Sequence, residues 1–135
     1  MPSKHTNSKI SQYKITWEEY DKSIRILANK IKKSKQKFSV IYTFKRGGLP
    51  IATHLSHLLK INRIEIDKAP LWKENTLIVD DISDTGETLE GVITWRKYLR
   101  RPYKLATLHR KSGTKVEPNY YVKTINKWIV YPWEV

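Results

Sequence analysis

The residues best equipped for chemistry lie in one run, Thr76-Leu77-Ile78-Val79-Asp80-Asp81-Ile82-Ser83-Asp84-Thr85-Gly86-Glu87-Thr88-Leu89. Strand-like sequence delivers two adjacent carboxylates. A third carboxylate, a glycine and two threonines follow, and a helix pattern then begins. At the end of an apolar strand, Asp80 and Asp81 repel each other unless a cation or hydroxyl donors satisfy them. A magnesium ion or the hydroxyls of a sugar would do so. Thr85-Gly86-Glu87-Thr88, at a helix start, offers unpaired N–H groups and a positive dipole end to a phosphate. The run is therefore fitted to a phosphorylated sugar. Helix capping accounts for some of Asp84, Thr85 and Thr88, but not for Asp80 and Asp81.

Two further loops and the C-terminal segment carry weaker signals. In Lys45-Arg46-Gly47-Gly48 the glycines let backbone N–H groups approach a ligand closely, and Arg46 supplies a bidentate fork that suits pyrophosphate. A plain strand-to-helix turn is the alternative. Lys111, just past Leu108-His109-Arg110, can donate to a carbonyl oxygen of a bound base, or it is one more surface lysine. His109 has no partner that the sequence reveals. Trp128, in Lys127-Trp128-Ile129-Val130-Tyr131-Pro132-Trp133-Glu134-Val135, offers an aromatic face to a purine, although tryptophan more often serves a core.

These residues need elements that bring them together. Residues 1–12 read as a polar N-terminal segment, and 13–135 as a single domain. Thr16 with Glu19 forms a capping-box pattern, and Trp17, Tyr20, Ile24, Leu27, Ala28 and Ile31 then recur at helical spacing. Phe38 to Phe44 reads as a buried strand, Leu49 to Leu59 as a helix and Ile61 to Ile66 as a second strand. Thr76 to Asp81 is a third strand, Glu87 to Leu99 a helix and Lys104 to Arg110 a fourth strand. Tyr120 to Ile125 and Trp128 to Val130 read as late strands. Alternation of this kind predicts an α/β fold, a mostly parallel twisted sheet with helices on both faces. Ligands then bind beyond the C-terminal strand ends, where all three loops lie.

The chain has 135 residues, no cysteine and a formal net charge of +13. One compact domain is expected, without a disulfide framework or thiolate metal site. No apolar run approaches a membrane span, and the N-terminus lacks the apolar stretch of a signal peptide. A soluble, cytoplasmic protein is the natural expectation. Residues 1–37 hold ten Lys or Arg against three acids, whereas residues 76–91 hold five acids and no base. A basic body around one acidic loop suits a polyanion bridged by a divalent cation; a nucleic-acid surface is the rival reading.

The order R-G-G, D-D-x-x-D-T-G-x-T, T-x-x-x-K and W-I-x-x-P-W resembles the type I phosphoribosyltransferases. The last motif points to the bacterial xanthine-guanine branch, and the likeness spans roughly residues 13–135. It implies that Arg46, Gly47 and Gly48 bind the pyrophosphate of phosphoribosyl pyrophosphate (PRPP), with a non-proline cis peptide before Arg46. Asp80 and Asp81 would meet the ribose hydroxyls and Mg²⁺. Asp84 would act at purine N7 as general acid/base, and Thr85, Gly86, Glu87 and Thr88 would cradle the 5′-phosphate. Lys111 would contact the purine 6-oxygen, Trp128 would stack on the base, and the Ile129 backbone would meet its 2-position. The implied activity is Mg²⁺-dependent purine salvage: an oxopurine (guanine, xanthine or hypoxanthine) and PRPP give a nucleoside 5′-monophosphate and pyrophosphate. A homo-oligomer, dimer or tetramer, is implied too. Members of the family close the site with a long flexible hood between the second and third sheet strands. Here only Asp67 to Asn75 lies between them, too short for a large hood. A different reading is a PRPP- or nucleotide-sensing regulator without enzymatic activity that binds nucleic acid. The base-contacting pair Asp84 and Lys111 speaks against it.

Overall fold

A computed structural model describes residues 11–135. The first ten residues of the polar segment lie outside the described part. In chain order the elements are β1 (Gln12–Lys14), α1 (Trp17–Lys33), β2 (Val40–Thr43), α2 (Gly48–Leu59), β3 (Arg63–Ile66), β4 (Thr76–Ser83), α3 (Glu87–Tyr98), β5 (Tyr103–Arg110), β6 (Lys123–Thr124) and β7 (Trp128–Val130), followed by a 3₁₀ turn at Pro132–Glu134. Five strands form a sheet in the order β3-β2-β4-β5-β6, every pair parallel. The expected α/β architecture with a short connection in place of a hood is the observed one.

Side-chain alternation assigns the two faces of the sheet. Ile41, Leu77, Val79, Ala106 and Leu108 join the larger core with α1 and α2 residues such as Ile24, Leu27, Ile51 and Leu55. Tyr42, Ile78 and Leu105 turn the other way and meet Leu89 and Val92 of α3. The Thr16 hydroxyl caps α1, accepting from the Glu19 N–H at 3.1 Å, while the Glu19 carboxylate accepts from the Tyr13 hydroxyl at 2.6 Å. Trp17, read from its spacing as part of the apolar stripe, is 60% exposed. It sits at the first helical position, edge-on to Tyr20 and tilted against Trp133.

Several boundaries differ from the sequence reading. β4 runs on to Ser83, because β5 keeps pairing with it to Ser83↔Arg110. β2, by contrast, leaves β4 at Thr43↔Val79. Asp80 and Asp81 thus stand where β4 keeps a neighbour on one side only. The late strand at 120–125 contracts to Lys123–Thr124, with one isolated bridge from Ala106 to Tyr120. β1 was not foreseen. It pairs parallel with β7, Tyr13 opposite Ile129, and joins the N-terminal part of the fold to the segment bearing Trp128.

Candidate active site

The Arg46 loop and the acidic strand touch. A Cβ on Gly47 would collide with the Asp81 carboxylate; one on Gly48 would collide with the Thr43 hydroxyl and would itself come within 3.3 Å of Asp80 Oδ1. The glycines are therefore needed where two loops close on each other, as well as for any ligand. The Lys45–Arg46 peptide is cis, as the family likeness led us to expect. α2 starts at Gly48, beside the carboxylates; Leu49 N donates to Arg46 O at 3.2 Å, and Pro50 has no N–H to offer.

Asp80 and Asp81 are half-buried. Each uses one oxygen on the backbone: Asp80 Oδ1 accepts from Asp81 N at 2.9 Å, and Asp81 Oδ1 from Ile82 N at 2.8 Å. Burial first, and then the charge of Asp81, push Asp80 up to about 8. Asp81 is also raised, chiefly by burial. Two carboxyls that resist ionisation together fit a divalent cation. Among the described residues, no group of three or more His, Asp or Glu could hold a metal alone. A bound Mg²⁺ would need oxygens from a substrate, as is usual for Mg²⁺ beside phosphates.

The turn after β4 is built for close approach. Gly86 has φ 86°, a conformation favoured by glycine, and a Cβ there would press on Val116 N at 3.0 Å and on the Lys115 Cβ at 3.2 Å. Thr85 Oγ1 accepts from Glu87 N at 3.3 Å. The segment 111–116 is fastened to this turn: Lys111 N donates to Ser83 O at 3.0 Å, Lys115 N to Thr85 O at 3.3 Å, and the Ser83 hydroxyl lies 2.8 Å from that of Thr114 and 2.7 Å from Val116 O. Ser83 and Thr114 were not singled out from the sequence, since isolated hydroxyls carry no pattern.

Lys111, Asp84 and Trp128 converge. Lys111 Nζ stands 3.4 Å from Asp84 Oδ2 and 5.6 Å from the centre of the Trp128 ring. Lys111 is thus part of a cluster rather than a free surface lysine. Trp128 also walls an open cleft of about 1160 Å³ together with Arg46, Gly47, Asp81, Trp133 and Glu134. Ile129 is buried, held by its register with Tyr13. His109 does have a partner, the hydroxyl of Tyr131 at 3.0 Å from Nδ1; the two are far apart in sequence, and nothing local signals the pair.

An open parallel sheet with paired carboxylates and a glycine-bearing turn at a helix start, both at the C-terminal strand ends, and an ion-paired lysine beside an indole define the class of α/β protein to which this chain belongs. The phosphoribosyl transferase domain model matches residues 73–135. The crystal structure of a purine phosphoribosyltransferase from Pyrococcus horikoshii Ot3 is 37% identical, with a TM-score of 0.81, over 92% of this chain and 94% of that one. The xanthine-guanine phosphoribosyltransferase of Desulfotalea psychrophila is 26% identical over 90% of this chain and 86% of its own length. A Helicobacter pylori xanthine-guanine-hypoxanthine phosphoribosyltransferase shares the fold at 21% identity and a TM-score of 0.82, over 93% of this chain and 95% of that one. The chain belongs to the phosphoribosyltransferase family.

Proposed function

We propose that the protein transfers the phosphoribosyl group of PRPP to a 6-oxopurine, giving a nucleoside 5′-monophosphate and pyrophosphate. The observation that carries this reading is the meeting of Asp84, Lys111 and Trp128. A protein that only sensed PRPP would have no use for a base-contacting cluster. In this reading Arg46 and the N–H groups of Gly47 and Gly48 hold the pyrophosphate, and Thr85, Gly86, Glu87 and Thr88 receive the 5′-phosphate. Asp80 and Asp81 hold the ribose hydroxyls and a Mg²⁺ ion, which when bound supplies positive charge against the departing pyrophosphate. Trp128 and the Ile129 backbone set the plane and the 2-position edge of the purine.

The C1–O bond to pyrophosphate breaks with its electron pair leaving on oxygen, and a purine ring nitrogen forms the new C1–N bond. Arg46 stabilises the leaving oxygens. Lys111 donates to the 6-oxygen, and Asp84 accepts the N7 proton. Positive charge at C1 demands exclusion of water, and the 67–75 connection is too short to provide a large hood. We assign that task to a second copy in a homo-oligomer, in a cytoplasmic setting. Among the described residues no helix is long and apolar enough to cross a membrane.

The test is pyrophosphate release with PRPP, Mg²⁺ and each of guanine, xanthine and hypoxanthine. Asp84→Asn is expected to lower turnover on the order of 10²–10⁴-fold with PRPP affinity little changed. No turnover by the unmutated protein with any purine overturns the enzyme reading; unchanged turnover in Asp84→Asn overturns only the role of that carboxylate.

A further inference from the structure

Beneath the acidic strand lies a buried polar pair that the proposed chemistry does not use. His109 in β5 is fully buried, and Tyr131, directly after β7, is 2% exposed. The Tyr131 hydroxyl lies 3.0 Å from His109 Nδ1 and 3.2 Å from the backbone carbonyl of Asp81. A carbonyl only accepts, and a tyrosine has one proton to give. That proton goes to Asp81 O, so the hydroxyl must accept from His109, which fixes the Nδ1–H tautomer. His109 Nε2 has no partner and is buried. In this tautomer it is a bare acceptor, whereas the other tautomer would strand an N–H donor, the rarer and costlier fault. Burial, and next the charge of Lys123, depress His109 to about 4, so the ring is neutral at ordinary pH.

The direction of the chain of donors matters because of what its ends hold. Asp81 belongs to the proposed ribose and metal subsite. Tyr131 follows Trp128 and Ile129, the proposed base subsite, and is itself braced by stacking on Trp133 at 5.0 Å and by donating its own N–H to Glu134 Oε1 at 2.8 Å. β7 pairs with β1, in a sheet separate from the one that carries Asp81. The Tyr131 hydroxyl is thus a direct polar tie from the segment behind β7 to the backbone of the acidic strand. We infer that Tyr131, oriented by His109, is a positioning residue that sets the distance between the base-holding strand and the ribose-holding strand. The inference rests on the transferase reading above.

Small misplacement of two reactants costs rate more than it costs the binding of either one. Tyr131→Phe removes only the hydroxyl. We expect its kcat to fall about tenfold, while KM for PRPP stays within about threefold. ¹⁵N spectra of the unmutated protein should show His109 as the Nδ1–H tautomer. An Nε2–H tautomer overturns the relay, and so does an unchanged kcat in Tyr131→Phe. If that variant does not fold, the pair His109→Gln and His109→Leu decides: Gln keeps a donor and should retain activity, whereas Leu should lose it as Tyr131→Phe would. Equal activity of the two overturns the inference. An unmutated protein inactive with every purine overturns the transferase reading and this role together, a result distinct from an active enzyme in which Tyr131→Phe is silent.

Discussion

In the proposed site, Asp80 and Asp81 would trade stability for binding. An unfolded aspartate titrates near 3.9, but burial and its neighbour lift Asp80 to about 8. The folded, ligand-free protein therefore keeps a proton that the unfolded chain has lost. This contribution to stability is complete below about pH 4 and drains away as pH rises through 8. Asp80→Asn retains the oxygen that accepts from Asp81 N and removes the titration. Its melting temperature should exceed that of the parent by about 4 °C or more at pH 8 and match it at pH 4, while Mg²⁺–PRPP binding is lost by calorimetry. A variant that melts below the parent at pH 8 would refute the account. The carboxylates, Arg46 with its glycines, and the phosphate turn were legible because each sits in a short, unusual string. Tyr131 and His109 were not, since the bond between them joins the segment behind β7 to a strand of the other sheet, 22 residues apart, and leaves no local spacing to read.

At the scale of elements, one side chain gathers much of the short connection after β3. Arg96 is fully buried in α3. Its guanidinium donates to Pro70 O, Trp72 O, Glu74 O and Pro102 O at 2.7–3.0 Å, with its centre 5.8 Å from the centre of the Trp72 ring. Where relatives were expected to carry a hood, this chain carries a strap tied to a helix. Arg96→Met fits the volume but leaves four carbonyls without that donor. It should destabilise the protein by about 3 kcal/mol, seen in denaturant melts. Amide exchange across residues 71–75 should accelerate ahead of the sheet; equal protection in variant and parent would sink the role. Helices α1 and α2 were readable from their apolar residues, and α3 from the turn that precedes it. β1 was not, because Gln-Tyr-Lys has no strand signature and its partner lies at the other end of the described chain. The 120–125 segment looked like a strand from β-branched and aromatic content, yet it follows β5 mostly through isolated backbone bonds such as Thr107 N to Tyr120 O.

Over the whole molecule, the alternation of strands and helices was enough to foresee a sheet covered on two faces with its site at the C-terminal strand ends. What the sequence could not yield was the use of its charge. A +13 protein attracts any polyanion; in the proposed function the acidic strand ends would select one that brings a divalent cation. If the field serves PRPP, stopped-flow association rates should fall on the order of tenfold between low and about 0.5 M salt, with little retention of duplex DNA or RNA near physiological salt. Sequence-selective RNA binding that weakens steeply with salt would favour the regulator reading instead.

The ladder between β1 and β7 has a consequence for motion. It joins only three residues on each side, extended by Ile15 N to Val130 O, and closing it brings together segments from opposite ends of the described fold, an entropically slow step. We predict that so short a ladder opens ahead of the five-stranded sheet, with Ile15, Ile129 and Tyr131, which are buried in the larger core, setting how far it opens. The wall proposed to stack on the base would then peel away ahead of β4, once the Tyr131 hydroxyl leaves the carbonyl of Asp81. Amide exchange should be fastest at Trp128 to Val130 and slowest at Leu77 to Val79, so that a bound purine would be released by fraying of one edge rather than by movement of the sheet.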